Sequence, residues 1–275
     1  MELEPGIHQM TIGREPFSGF PPPNAFLVVG TESSVLIDAG WEDASDHEAR
    51  MAFLEETGAP PLAEIIITHH HPDHAGGALA VHRDTGAPMT AHALDRETIE
   101  RERFHGNATI DAELKAGDTR DLGGLSLEML FTPGHTRGCM AVYIPERGTL
   151  LSTDTVMQVS STALRPRDGN LADYVRSLEA LQGIGAKRMY GGHGGPITEP
   201  AARLRELIEH RRRREAELRE ALAQGPQSVT ALREIIYADL PEVRHQLAEA
   251  QLTTGLQKLM DEGVARKVGE RYALA

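Results

Sequence analysis

The sequence predicts a mixed α/β fold with a small helix-and-hairpin appendage, and three observations lead there. Short β-branched and aliphatic runs, such as Ser34-Val35-Leu36-Ile37 and Ile65-Ile66-Ile67, read as buried strands. Between such runs lie amphipathic stretches, for instance Asn170 to Gly183 with Leu171, Tyr174, Val175, Leu178 and Leu181 at three- and four-residue steps. Beyond residue 224 the pattern changes to three short helical segments and an alternating run that turns at Gly269. A length of 275 residues suits one large domain with a small addition.

Residues 1–30 hold a turn-rich piece in which Phe17, Phe20 and Pro21-Pro22-Pro23 form a stiff loop, either the rim of a pocket or a rigid connector. Asn24 to Val29 and Ser34 to Ile37 pair as a hairpin, and the second strand ends in Asp38-Ala39-Gly40. Asp43 to Thr57 is a helix candidate. Ala78 to Asp84 is a second helix, Met89 to His92 a short strand, and Leu94 to Arg103 a charged helix. Strands follow at Leu125 to Phe131, Met140 to Ile144 and Thr149 to Ser152, and Arg188 to Tyr190 returns after the Asn170–Gly183 helix. A long charged helix runs from Glu199 to Ala223, where Gly225-Pro226 breaks the chain. Its block Arg211 to Arg214 has glutamates four residues away, the pairing of a solvated helix rather than a phosphate grip. Val229 to Tyr237, Glu242 to Ala248 and Ala250 to Glu262 read as three helices, and Gly263 to Leu274 as a hairpin-like wing. These boundaries divide the chain into residues 1–198, a linker helix at 199–224, and a winged-helix-like domain at 225–275.

The chemistry concentrates in Thr68-His69-His70-His71-Pro72-Asp73-His74-Ala75-Gly76-Gly77. The apolar strand turns polar in one step and places four histidines and an aspartate in six positions. Imidazole is the commonest neutral ligand for zinc-like ions, and aspartate adds a hard anionic oxygen. In an extended segment His69 and His71 project to one side, and the bend after Pro72 lets Asp73 and His74 face a second point close by. A histidine-rich surface loop without metal is the plain alternative; the strand–turn–glycine context and Asp73 favour a metal site.

These residues resemble the T-H-x-H-x-D-H signature of the metallo-β-lactamase-fold hydrolases. Three further stretches resemble that family's later motifs in order: Thr132-Pro133-Gly134-His135-Thr136, Leu150-Leu151-Ser152-Thr153-Asp154-Thr155 with Thr153 in place of the usual glycine, and Gly191-Gly192-His193-Gly194-Gly195-Pro196. The resemblance implies a four-layer αβ/βα sandwich with its site on one edge, and the tail implies a small C-terminal winged helix. It implies two metal ions per chain, zinc by preference with iron or manganese allowed by the ligand types. His69, His71 and His135 would hold one, Asp73, His74 and His193 the other, with Asp154 bridging. Asp73 is also the expected catalytic carboxylate, and Asp38 and Thr68 are expected to support the histidine loop from behind. His82, His92 and His105 fall outside the pattern and are expected to be surface or structural residues rather than ligands, and His70, which alternates away from His69 and His71, is left out of the metal shell. Tyr174 and Leu178 ahead of Tyr190-Gly191-Gly192-His193, with Leu259 to Val264, are similar to the beta-lactamase-like protein 2 subgroup.

Composition narrows the function. The formal charge is −13, and residues 1–200 carry 15 basic against 29 acidic side chains, whereas residues 201–275 carry 13 against 12. An acidic site-bearing region is a poor host for a polyphosphate backbone. Among the activities that the resemblance implies, this favours metal-dependent hydrolysis of an acyl ester, a thioester or lactone on a small molecule or carrier, by a metal-bridging hydroxide. The runner-up is a single-strand endoribonuclease acting on RNA through the same hydroxide. A winged-helix regulator that only senses metal has no use for an open hydrolytic position. Arg137 is placed to meet a substrate anion or a surface carboxylate. The single Cys139 reads as a buried packing residue. No run has the length of a membrane span and no basic-then-apolar leader opens the chain, so a cytoplasmic protein is expected. The winged helix is compatible with a homo-oligomer, a lid or nucleic-acid binding.

Overall fold

The computed structural model describes residues 1–17, 19–102, 106–158 and 160–275. Two sheets carry the larger part of the chain. The first runs in sequence order through β1 (Glu2–Glu4), β2 (Ile7–Thr11), β3 (Asn24–Val29), β4 (Ser34–Ile37), β5 (Leu62–Ile67), β6 (Met89–His92) and β7 (Ala112–Leu114). Pairing is antiparallel up to β4 and parallel from β4 to β7. The second sheet contains β8 (Thr119–Asp121), β9 (Ser126–Phe131), β10 (Met140–Ile144), β11 (Thr149–Thr153), β12 (Arg188–Gly191) and β13 (Pro196–Ile197). Within it only β11 and β12 pair in parallel.

Side-chain alternation explains the layering. Along β5, Ile66 enters the core between the sheets with Ile37, Phe26, Met129, Val142 and Leu151, while Ile65 and Ile67 face the opposite way. That outer face packs under α1 (Ala44–Thr57), α3 (Ala78–Thr85) and α4 (Ala93–Arg101), through Val81 and Ile99 among others. The outer face of the second sheet offers Ala141, Leu150 and Met189 to α5 (Leu171–Ile184) and the first half of α6 (Pro200–Ala223). The result is the four-layer αβ/βα sandwich that the resemblance implies. The last turns of α6 contribute Leu218 and Leu222 to a separate small core with α7 (Val229–Ile236), α8 (His245–Asp261) and the hairpin β14 (Ala265–Val268) and β15 (Arg271–Leu274).

Three expectations change. Residues 1–30 are more than turns, because Glu2–Glu4 and Ile7–Thr11 form strands, and β7, β8 and β13 are two- to three-residue edge elements with little apolar signal of their own. Glu242 to Ala248 and Ala250 to Glu262 do not form two helices. A 3-10 turn at Glu242–Arg244 runs straight into α8, where Ala248, Leu252, Leu256 and Leu259 make one buried stripe with no breaker between them. Arg211 is not a solvated pairing residue: it is 6% exposed, and its guanidinium bonds Thr162 O and Gln251 Oε1. Glu215 turns instead to Arg219 and Lys258. No helix among the described residues is long and apolar enough to cross a membrane.

The sheets are joined at both ends. At one end buried Glu4 accepts from Thr149 Oγ1 at 2.8 Å, Arg188 Nη1 at 2.6 Å and Tyr190 OH at 3.1 Å. At the other, Asn24 N donates to Gly192 O at 2.7 Å, and its side-chain amide reaches Gly191 O and Gly194 O, both at 3.0 Å. Ile66 sits between these fastenings with no solvent exposure. Ile66→Ala is expected to lower unfolding free energy by about 2–5 kcal/mol in urea denaturation; a loss within about 0.5 kcal/mol, the range of ordinary surface substitutions, would contradict the assigned core.

Candidate metal centre

Every chemistry-bearing loop leaves the same edge of the sandwich. Asp38 follows β4, residues 68–74 follow β5, His135 follows β9, Asp154 follows β11 and His193 follows β12. Neighbouring strand ends lie close together, which is how an α/β sheet gathers side chains from distant sequence positions. After Thr68 the chain enters α2 (Pro72–Ala75), a single helical turn with Pro72 at its first position, where a missing N–H costs nothing. That turn directs Asp73 and His74 inward.

Among the described residues four groups could hold a metal; Asp38, His69 and His74 are one, His70, His71 and Asp168 another, and the remaining two consist of the motif residues. His69, His71, His135 and Asp154 form one, and Asp73, His74 and His193 the other, with the donor atoms of each set within 4.8 Å of one another. Asp154 faces both: Oδ2 lies 3.5 Å from His135 Nε2, and Oδ1 lies 3.4 Å from His74 Nε2 and 3.7 Å from His193 Nε2. His74 Nε2 and His193 Nε2 are 3.3 Å apart, and Asp73 Oδ2 is 3.4 Å from His193 Nε2. Two ligands of one tetrahedral zinc, each ~2.0–2.1 Å from it, stand roughly 3.3–3.4 Å apart. The separations therefore fit ligand-to-ligand edges. His69 Nε2 and Asp154 Oδ1 are buried without a hydrogen-bond partner, an arrangement that is costly unless a cation satisfies them. The donor set fits a divalent metal.

The outer ring nitrogens are held from behind. Asp38, in the left-handed region at φ 58°, accepts from Thr68 N and Thr68 Oγ1 at 2.8 Å and meets His74 Nδ1 at 2.9 Å. Thr68 Oγ1 lies 3.1 Å from His69 Nδ1, so the hydroxyl that donates to Asp38 can accept from that ring. His135 Nδ1 donates to Ala163 O at 3.0 Å, and His193 Nδ1 to Pro21 O at 2.8 Å. These bonds leave the Nε2 atoms of His69, His74, His135 and His193 facing the centre. His71 is reversed: Nδ1 faces His135 Nε2 at 2.9 Å, and Nε2 is 3.9 Å from Asp168 Oδ2. Gly192 has no room for a side chain, since a Cβ there would lie 2.2 Å from Asp154 Oδ1 and 2.8 Å from His74 Cε1.

Electrostatics divide the cluster. Burial, reinforced by the neighbouring imidazoles, holds His69 well below its ordinary value and brings His135 to about 4. Burial pulls His74 the same way, but Asp154, Asp73 and the bond to Asp38 outweigh it and raise His74 to about 10. Asp73 resists desolvation and is held well below the usual carboxylate range by His74 and His193. Asp154 is lowered against burial by His74, His193 and His135. Carboxylates thus concentrate negative charge on one half of the centre, the condition that draws a cation.

His70 is anchored on Asp95, and its Nε2 stands 3.7 Å from Asp168 Oδ1, in a group with His71 that could hold a metal. Its Nδ1 and backbone N both meet Asp95 Oδ2 at 3.0 Å. Asp95 also accepts from Thr136 Oγ1 and Gly138 N, so this buried aspartate of the charged helix α4 ties the histidine loop to the His135 loop. His82 bonds Ala87 O and His92 stacks on Phe131; His105 lies outside the described residues. Cys139 is fully buried, and burial pushes its thiol up to about 12. Arg137 is exposed, with no ion-pair partner among the described residues. Phe20 packs its ring 4.9 Å from His193 and stacks on Phe17, which places the proline-rich loop at the rim. Sequence reasoning missed Asp95, Asp168, and the carbonyls of Pro21 and Ala163. Carbonyls carry no residue signature, and acidic side chains in charged segments look like surface.

Residues 18–193 match the metallo-beta-lactamase superfamily and residues 228–272 the beta-lactamase associated winged helix domain. The chain is 26% identical to a beta-lactamase-like protein 2 homolog of Caenorhabditis elegans, over 88% of this chain and 79% of that one. It is 25% identical to an atrochrysone carboxyl ACP thioesterase of Aspergillus fumigatus, over 79% and 69%. A hydroxyacylglutathione hydrolase of Methylococcus capsulatus is 32% identical over 68% and 73%. The crystal structure of a metallo-beta-lactamase family protein from Thermus thermophilus superposes with a TM-score of 0.82, at 26% identity and full coverage of both chains. With the profile spanning most of the sandwich and the strand-end motifs in place, the chain belongs to the metallo-β-lactamase superfamily, with the associated winged helix behind it.

Proposed function

We propose that the protein is a dinuclear metal-dependent hydrolase of acyl esters, with thioesters as the leading class and zinc as the metal. The observation that carries this reading is a carboxylate, Asp154, whose two oxygens face two separate donor sets. His69, His71 and His135 would hold one ion, Asp73, His74 and His193 the other, and Asp154 both. Bound there, divalent metal supplies a Lewis acid and brings the pKa of water to about 7. Asp38 and Thr68 keep His74 and His69 in the orientation that presents Nε2. Asp73, held as a carboxylate, would take the proton released by the attacking water and hand it to the leaving thiol or alcohol as the acyl C–S or C–O bond breaks. Phe20 and Phe17 give the site mouth an apolar wall beside His193, suited to an acyl chain. One relative named as a thioesterase, another named as a hydroxyacylglutathione hydrolase, and the acidic balance of residues 1–200 support an acyl over a polyphosphate substrate. Cleavage of single-stranded RNA is the second reading, favoured by the exposed Arg266, Lys267 and Arg271 on the β14–β15 hairpin.

Elemental analysis of zinc-loaded protein is expected to give about two ions per chain, with activity removed by chelation and restored by zinc. One ion or fewer at saturation would refute the dinuclear centre. Asp73→Asn should lower kcat on a simple thioester by about 10²–10⁴-fold with circular dichroism unchanged. The same pair of proteins tested on unstructured RNA decides between substrates: cleavage by wild type alone, without thioester turnover, would replace the acyl reading with the nuclease one. Asp38→Asn keeps the shape and suits a positive φ, but removes the charge behind His74. It should weaken zinc binding by about 10–100-fold in chelator competition; unchanged affinity would deny Asp38 its supporting role.

A further inference from the structure

We infer that Arg211, backed by Gln251 and Thr254, is a positioning residue for His135, so that α6 and α8 set the geometry of the metal centre. The inference rests on the dinuclear reading above. The segment concerned leaves β11 after Asp154 and passes over the site. Three consecutive carbonyls of this segment point alternately out and in. Ala163 O points inward and accepts from His135 Nδ1 at 3.0 Å. Thr162 O and Leu164 O point outward. Thr162 O accepts from Arg211 Nη2 at 2.5 Å and Gln251 Nε2 at 3.4 Å, and Leu164 O lies 3.3 Å from Thr254 Oγ1, whose single proton is shared with Ala250 O at 3.0 Å. Because peptide units are planar, fixing the flanking carbonyls restricts where the middle one can aim. The Thr162 hydroxyl adds a second link, donating to Asp154 O at 2.7 Å.

Arg211 is an unusual choice for a merely space-filling position. It is 6% exposed, and the bonds it makes go to neutral oxygens rather than to a carboxylate. A buried guanidinium is costly unless its donors are used. Here Nη1 holds Gln251 Oε1 at 2.8 Å, Nη2 holds the loop, and the guanidinium lies 5.0 Å from the ring of Tyr174, while Nε is buried without a hydrogen-bond partner among the described residues. Tyr174 OH in turn donates to Thr155 O at 3.0 Å, next to Asp154. Arg203, two turns earlier on α6, holds Met157 O and Ser160 O of the same segment at 3.0 and 2.6 Å. The planar fork of arginine serves two acceptors in a fixed geometry, which lysine cannot reproduce. The face of α8 that carries Gln251 and Thr254 is thus occupied inside the molecule.

The test uses full-length, zinc-loaded protein and Arg211→Met, which preserves bulk and removes the donors. Zinc affinity is measured by chelator competition, and the His135 imidazole by NMR of ¹⁵N-histidine protein, with His135→Ala supplying the assignment. The expected result is a folded variant that binds one of its two ions about tenfold or more weakly. Its His135 Nδ1–H signal broadens or vanishes through faster solvent exchange. The milder pair Gln251→Leu with Thr254→Val should shift both readouts the same way by a smaller amount, and this pair decides the matter if Arg211→Met does not fold. A folded variant with lowered melting temperature but wild-type zinc affinity and an unchanged His135 signal overturns the inference. If His135→Ala itself loses no zinc, the metal-centre reading fails instead, and the two failures are told apart.

Discussion

Desolvation of polar donors is the constraint from which the rest of this structure follows. His69, Asp73, His74, His135, Asp154 and His193 are all buried at one edge of a sandwich, although each prefers water unless every polar atom finds a partner. The surroundings are built to supply those partners. Outer ring nitrogens go to Asp38, Ala163 O and Pro21 O, and the inner ones face one another at 3.3 Å between His74 and His193 and at 2.9 Å between His135 and His71. Even the backbone yields, as Gly192 leaves out a side chain where Asp154 and His74 need the space.

Convergence on that scale requires the two sheets to be held in register at the site edge, not merely packed. The apolar core between them gives adhesion without direction. Direction comes from polar fastenings: the Asn24 contacts with Gly191, Gly192 and Gly194, and the bond from Met140 N to Thr68 O at 3.0 Å. A second layer of fixation comes from buried arginines that hold loop carbonyls. Arg50 donates to Trp41 O at 2.9 Å behind the histidine loop, close enough to Gly77 that a Cβ there would stand 2.4 Å from its guanidinium. From α6, partly buried Arg203 and buried Arg211 hold carbonyls of the segment after Asp154 in the same way. Loops carrying the reactive side chains are irregular, so their carbonyls lack ladder partners, and a multidentate donor from a neighbouring helix is an economical way to order several at once.

The elements that could be read in advance are those whose signal is local. β5 and the loop after it announce themselves because a run of isoleucines stops abruptly at Thr68 and histidines follow. α5 and α6 show helical periodicity. The short edge strands β1, β7, β8 and β13 do not, because a strand of a few polar residues is stabilised by the neighbour it pairs with rather than by its own pattern. Within the Arg211–Arg214 block, Arg213 meets Glu217 at the expected spacing, but Arg211 misled for a related reason. Charge spacing along a helix predicts i,i+4 pairing only where the face is solvated, and which turn is buried depends on what docks against it.

What the sequence by itself determined is the kind of chemistry: imidazoles and carboxylates at strand ends, in an order that marks the superfamily, within an acidic chain. It also carried the division into a sandwich and a helical tail with a hairpin, since hydrophobic periodicity is written residue by residue. Tertiary structure alone decided which oxygen of Asp154 faces which histidine. It also decided that His71 is turned opposite to its neighbours, and that Asp95, Asp168 and two backbone carbonyls complete the surroundings. Those relations join residues up to 172 positions apart, as between Pro21 and His193. They exist only after the sheets close, because hydrogen-bond geometry is a property of positions in space and not of spacing along the chain.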